Sequence, residues 1–193
     1  MNVFDLDGTI IDGDTGTDFY LYLLARHPWL FYRSPQVLLA GALFWLGLIS
    51  SVQMRNLFYP AFMPYVSLEN EVIAFWMERK CKLKPWYLEM RRPDDIITTA
   101  SPECLVRPLT EELGVRLIAA DVDSGTGKVI GRGNRDVAKP INFRFQYPDA
   151  VIEKFYSDSL SDSPMAELAE EAFLVLRNGD IMPWPWHKVR KRK

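Results

Sequence analysis

The chain predicts an α/β fold, a doubly wound parallel sheet interrupted after its first strand by an all-helical insert. Three observations carry that prediction. From about residue 93 onward, short apolar runs alternate with helix-like stretches, the pattern of parallel strands joined by crossover helices. Residues 15–92 hold only helical signals and are rich in Trp, Phe and Tyr. Three of the strand-like runs end in acid or hydroxyl residues, as strands do when their carboxyl ends face a site.

Each element has its own signal. Val3-Phe4-Asp5-Leu6 is apolar and then interrupted by acid, a buried strand entering a site. Thr15 or Thr17 caps a helix through Ala25 that stops near Pro28. A second helix follows Pro35, a third covers Leu68 to Cys81, and Pro85 opens a segment that ends before Pro93. Asp95 to Ala100 is the next buried strand. Pro102 then opens a helix that Gly114 closes. Val115 to Ala120 is a strand, and the glycines at 125, 127, 131 and 133 bracket a hairpin. A helix over Val137 to Tyr147, a strand at Ile152 to Tyr156, a helix opened by Pro164 and a strand at Ala172 to Arg177 complete the set. The division implied is a core of residues 1–14 and 93–187, a helical cap of 15–92 and a basic tail of 188–193.

Composition excludes several classes. The 193 residues are 48% hydrophobic and 25% charged, ordinary for a globular protein and unlike a disordered or collagen-like chain. A chain this long buries roughly 70% of its extended surface, so one sizeable core forms without disulfides. Net charge is −2, which argues against a general nucleic-acid binder. The last six residues carry five of the 23 basic groups and no acid, so the first 187 hold 18 against 25, a net of −7. That tail reads as a solvated terminus or as a weak contact with anionic lipid or RNA. Cys81 and Cys104 show no metal-ligand spacing and read as buried thiols in a reducing, cytoplasmic setting. No export signal precedes the first strand. Residues 34–54 carry no charge, but their densest part, Val37 to Ile49, is only 13 residues, short for a membrane span.

The chemistry concentrates in three clusters: Asp5-Leu6-Asp7-Gly8-Thr9, Thr98-Thr99-Ala100-Ser101, and Ser157 to Asp162. Parallel topology brings all three to one edge of the sheet. Carboxylates crowded into one cleft repel one another unless a cation joins them, and a hard divalent ion with oxygen ligands, Mg²⁺, answers that need.

These motifs, taken in order, resemble the haloacid dehalogenase-like superfamily of phosphatases over nearly the whole chain. Asp5-x-Asp7-Gly8-Thr9 is similar to its nucleophile motif, and Thr99 fits its second-motif hydroxyl, with Thr98 and Ser101 as alternatives. Lys139 fits the third-motif lysine better than Lys128, which falls in the hairpin, and Asp158 with Asp162 fits the acidic fourth motif. The helical insert resembles the cap of the phosphoserine-phosphatase-like branch over a Rossmann-like core. The resemblance implies that Asp5 attacks phosphorus and that Asp7 serves as acid and then base. It also implies that Thr99 and Lys139 stabilise the phosphoryl oxygens, and that Mg²⁺ is held by Asp5, the Asp7 carbonyl and Asp158, with Asp162 outside them or bridged by water. Gly8 and Ser101 would contact substrate. Asp14 matches by spacing a substrate-touching acid of that branch, although the branch usually has Glu there. Plainer readings stay open: Asp158 and Asp162 as caps of the helix at Pro164, Asp14 as a solvated residue, and the aromatic insert as packed core.

Phosphatidylglycerophosphate phosphatases of the same superfamily are similar in having a hydrophobic cap. A phosphorylated small molecule or a lipid head group are therefore both expected substrates, with Phe44 and Trp45 in a lid able to lie on a membrane surface. A single span there would put Asp5 and Asp158 on opposite sides of the bilayer, and the site would not assemble. The alternative function is a catalytically silent phosphoryl-binding or membrane-docking protein of the same fold. Sequence leaves oligomeric state undetermined.

Overall fold

The computed structural model describes residues 1–189. The predicted tail from Lys188 therefore lies outside the described residues, apart from the backbone of 188–189. Six strands form one sheet: β1 (Asn2–Phe4), β2 (Ile96–Pro102), β3 (Arg116–Ala120), β4 (Ile152–Ser157), β5 (Ala169–Val175) and β6 (Ile181–Pro183). Their order is β3-β2-β1-β4-β5-β6, with β1 to β5 parallel and β6 antiparallel to β5. The helices are α1 (Thr15–Arg26), α2 (Ser34–Trp45), α3 (Ser51–Phe58), α4 (Leu68–Arg79), α5 (Pro85–Met90), α6 (Glu103–Leu113), α7 (Ala138–Gln146), α8 (Ser163–Ala166) and α9 (Trp186–Val189). The predicted doubly wound α/β class is the observed one.

The two-residue period of each strand splits its apolar side chains between two faces. Val3, Ile96 and Phe155 pack with Phe143 of α7 and Met165 of α8. Their neighbours Phe4, Ile97 and Tyr156 pack with α6 and with the helices inserted between β1 and β2. Covering both faces is what a parallel sheet requires. Across β1, β4 and β5, the rings of Phe4, Tyr156 and Phe173 stack with centroids 4.9 and 5.1 Å apart. The insert shares this cluster rather than owning a separate one: Phe19, Phe62 and Phe75 join it, and Trp76 donates its indole N–H to Leu105 O of α6 at 2.6 Å.

Several expectations are corrected. Asp14, not Thr15 or Thr17, caps α1, its carboxylate accepting from Thr17 N at 2.8 Å. The predicted hairpin between residues 122 and 133 reduces to one bridge, Val122 with Val129, around a turn at Asp123–Lys128. The turn docks on the insert, since a Cβ at Gly127 would stand 2.6 Å from Pro60 N. Asp162 precedes α8 but makes no side-chain cap bond there. Cys81 is exposed and Cys104 only partly buried, because the chain leaves α4 in a surface turn at residues 80–82. β6 was not expected; the Asn178-Gly179 turn returns the chain along β5, with Gly179 at φ +90°.

The insert's aromatic residues divide in two. Those of α1, α4 and residues 58–62 make edge-to-face pairs inside the core. Those of α2 and the preceding turn do not: Trp45 is 85% exposed, and Phe31, Tyr32, Leu38 and Leu48 are also exposed. α2 ends after twelve residues, and among the described residues no helix is long and apolar enough to cross a membrane.

Candidate active site

From β1 the chain proceeds outward through β2 and β3, then returns to place β4 on the other side of β1. Clefts of doubly wound sheets open at such a reversal, beyond the carboxyl ends of the strands. Asp5 follows β1 directly and is anchored by its N–H to Tyr156 O at 2.8 Å; Asp158 follows β4. Asp5, Asp7, Gly8, Lys139 and Asp158 line a single cleft of about 630 Å³, a size suited to a small metabolite or a head group.

A buried ion triad forms the floor. Lys139, in the first turn of α7, donates to Asp5 Oδ1 at 2.6 Å and to Asp162 Oδ2 at 2.5 Å. Ser157 Oγ also donates to Asp162 Oδ2, at 2.8 Å. Burial alone would lower the lysine, but the charges of Asp5 and Asp162 outweigh it and hold the ammonium above the usual lysine range. Burial, only partly offset by Lys139, raises Asp5 to about 7.

Asp7 is gripped separately. Its Oδ1 accepts from the N–H of Thr15 at 2.7 Å and from that residue's hydroxyl, at the start of α1. Its Oδ2 accepts from Ser101 Oγ at 2.8 Å and from Thr99 Oγ1 at 3.4 Å. Burial, reinforced by the charge of Asp14, raises it to about 6. Thr98 turns away, its hydroxyl accepting from Asn134 at 3.1 Å, so Thr99 and Ser101 are the hydroxyls of this stretch that reach Asp7. Ala100, between them, forms the cleft wall. Lys128 lies in the exposed 123–128 turn, whereas Lys139 is in the cleft.

Gly8 has two constraints that exclude a side chain. Its φ is +73°, and a Cβ there would lie 2.2 Å from Asp158 Oδ2. The Asp158 carboxylate therefore rests directly against the turn that follows Asp5. Asp158 N donates to Thr9 Oγ1 at 2.8 Å, and burial raises its carboxyl above the usual range. Gly8→Ala is expected to cost about 1–2 kcal/mol from the left-handed backbone alone. Thermal unfolding would then fall by roughly 2–8 °C, and an unchanged midpoint would refute the constraint on Gly8.

Sequence reasoning missed four cations in this cleft: Arg55 of α3, Lys84, Arg135 and Arg177. Lys84, buried between the insert and the core, donates to Gly8 O at 2.7 Å and sits 3.5 Å from Asp12. None belongs to a motif. Asp14 is exposed at the rim, its carboxylate committed to the α1 cap.

The donor chemistry accommodates a hard cation. Among the described residues no three Asp, Glu, His or Cys side chains form a ready cage. Mg²⁺ does not need one, since it is typically held by one or two carboxylates plus waters and phosphate oxygens. Asp5 and Asp158, with the Asp7 carbonyl, supply such a set of oxygens, whereas Asp162 Oδ2 is already engaged by Lys139 and Ser157.

A mostly parallel sheet whose acidic cleft and buried lysine meet at the reversal beside its first strand places the chain among doubly wound α/β proteins with their site beyond the carboxyl ends of the strands. The family model for haloacid dehalogenase-like hydrolases matches residues 3–167, and the chain belongs to that family. Among solved structures it is similar to a protein with unknown function from Bordetella pertussis Tohama I, at 20% identity and a TM-score of 0.75, covering 100% of this chain and 94% of that one. A phosphoserine phosphohydrolase-like protein from Francisella tularensis shares 15% identity at a TM-score of 0.59, covering 89% and 86%. A probable phosphoserine phosphatase from Vibrio cholerae shares 15% identity at 0.62, covering 89% of this chain and 55% of that one. No curated protein sequence matches.

Proposed function

We propose that the protein is a Mg²⁺-dependent phosphomonoesterase that works through an aspartyl-phosphate. The observation that supports it most is the convergence of Asp5, Asp7, Lys139 and Asp158 on one cleft. Asp5 Oδ2, which Lys139 leaves clear and the Thr9 hydroxyl meets only at 3.4 Å, forms a bond to phosphorus as the bond from phosphorus to the leaving oxygen breaks. Asp7, whose burial raises its carboxyl to about 6 and so makes a protonated fraction available near neutral pH, gives its proton to that oxygen. Asp7 then takes a proton from water, the water oxygen bonds to phosphorus, and the acyl-phosphate bond breaks to release inorganic phosphate and restore Asp5. Lys139 holds the other Asp5 oxygen, which fixes the attacking rotamer. Thr99 and Ser101 orient Asp7 until substrate takes over those hydroxyls. Mg²⁺, held by Asp5, the Asp7 carbonyl and Asp158, would neutralise phosphate charge during both displacements.

The insert, residues 15–92, acts as a cap that covers the cleft during turnover and excludes water. The substrate is a phosphorylated small molecule or a lipid head group. The exposed apolar run of α2 favours a peripheral lipid contact, with Trp45 and Leu48 entering the interface. The test is hydrolysis of p-nitrophenyl phosphate with Mg²⁺. Turnover that EDTA abolishes and added Mg²⁺ restores is expected. Failure across a broad phosphate panel would favour a silent phosphoryl-binding protein instead.

A further inference from the structure

A second cavity, of about 370 Å³, adjoins the cleft and shares two of its residues, Arg55 and Arg135. Beyond the two arginines its walls are largely apolar, with Val52 of α3, Val129, Val137 and Ile141 of α7, and a third arginine, Arg132, at its edge. Three guanidinium groups there face a single carboxylate, Asp136. Lys139 is committed to Asp5 and Asp162, so Arg55 and Arg135 are cations at the shared edge that the buried triad does not engage.

The loop presenting Arg135 is held in place on purpose-built bonds. Asn134, fully buried, offers its amide to Thr98 Oγ1, Thr99 O and Ile118 O at 2.9–3.1 Å, tying the loop to the ends of β2 and β3. Asn142 donates to Gly133 O at 2.8 Å and to Asn134 Oδ1 at 3.1 Å. Asp136 takes φ +50°, a conformation that costs a non-glycine residue energy and is kept where surroundings enforce it. The Arg135 guanidinium lies 5.7 Å from the Phe44 ring centroid, and its Nε makes a long ion pair with Asp136 at 3.9 Å, which leaves its other N–H groups for a ligand. Arg55 donates to the backbone O of Ser51 at 3.3 Å and lies beside the Tyr59 hydroxyl, with no carboxylate within 4 Å among the described residues. Partly buried guanidiniums held in this way, without close carboxylates, suit an anionic ligand group.

We infer that the leaving group of the substrate is an anionic amphiphile: a second anionic group sits between Arg55 and Arg135, and an apolar extension fills the adjoining cavity. This rests on the phosphatase reading and specifies its substrate class. The phosphoryl group occupies the cleft beside Asp5, the next charge along the molecule meets the arginines, and the apolar part follows where the walls become aliphatic.

Four phosphomonoesters separate the two features: glycerol 1-phosphate with neither, 3-phosphoglycerate with a second anion, monohexanoylglycerol phosphate with a chain, and the terminal phosphomonoester of dihexanoyl phosphatidylglycerol with both. Each feature is expected to raise kcat/KM roughly tenfold to a hundredfold. Arg135→Met is expected to bring the ratio between anionic and neutral members toward one, and Arg135→Lys to restore part of it. Val52→Asp is expected to do the same to the chain-dependent ratio. Ratios near one in the native protein, or ratios that neither Arg135→Met nor Val52→Asp shifts, would overturn the inference. Calorimetry with the phosphonate counterparts reads the same preferences without turnover. Selective binding by an inactive protein would uphold this inference while sinking the phosphatase reading, and equal affinities would sink the inference itself. Comparison of the dihexanoyl ester as monomer with its long-chain form in phosphatidylcholine vesicles identifies the source. Preference for the vesicle indicates a membrane lipid, and preference for the monomer a soluble compound.

Discussion

Asp5→Asn is expected to abolish hydrolysis of p-nitrophenyl phosphate, lowering kcat by at least about 10³-fold, while leaving a folded protein. The amide cannot form the acyl-phosphate, and no neighbouring carboxylate replaces it, since Asp7 is clamped by Thr15 and Ser101 and Asp162 by Lys139. Stability should change little. Burial raises the Asp5 carboxyl to about 7, so its charge is costly in that position, and a neutral amide of the same shape relieves the cost while still accepting from Lys139. Activity assays beside circular dichroism and thermal unfolding check both halves. Residual turnover near the native level would refute Asp5 as nucleophile.

Lys139→Met is expected to damage both activity and fold. The ammonium is buried between two carboxylates at 2.5 and 2.6 Å, and removing it leaves two anions facing each other away from water. Breaking such an arrangement typically costs about 3–5 kcal/mol, corresponding to a fall of roughly 6–20 °C in the unfolding midpoint for a chain of this size. Adding Asp162→Asn removes one of the stranded charges and should recover a substantial part of that stability without recovering activity. Urea unfolding of the single and double variants measures the difference. Equal destabilisation of the two would show that the triad is not the source.

Much of this site was legible because its chemistry sits in short continuous motifs. Asp5, Asp7 and Gly8 lie in one five-residue stretch, and Asp158 and Asp162 directly follow a strand whose apolar run is plain. Lys139 could be preferred to Lys128 because one stands before a helix and the other between turn glycines. The choice among Thr98, Thr99 and Ser101 was not legible. Alternation along β2 says only that neighbours point to opposite faces, and it was Asn134, 36 residues away, that claimed Thr98. Arg55, Lys84 and Arg135 were invisible for a related reason. None stands in a recognisable motif, and each acquires its place only when the chain folds around the cleft. The cap of α1 was mistaken because Asp14-Thr15-Gly16-Thr17 offers three capping side chains in a row, and Thr15 was already engaged by Asp7. The strand β6 was overlooked because three residues are too few to show a period, although Asn178-Gly179 marks its turn.

The strand that leads into Asp5 is three residues long and lies in the middle of the sheet, yet both of its neighbours are encoded far downstream. A ribosome delivers Asn2–Phe4 first and its partners Ile96–Ile97 and Lys154–Tyr156 only after most of the polypeptide has been synthesised. Until then this segment has nothing to pair with, and its apolar side chains depend on chaperones or on the nascent helices for shelter. Such distant pairings make for slow, all-or-none maturation. Any translation product cut short before residue 157 lacks a completed centre and should be inert and prone to aggregate.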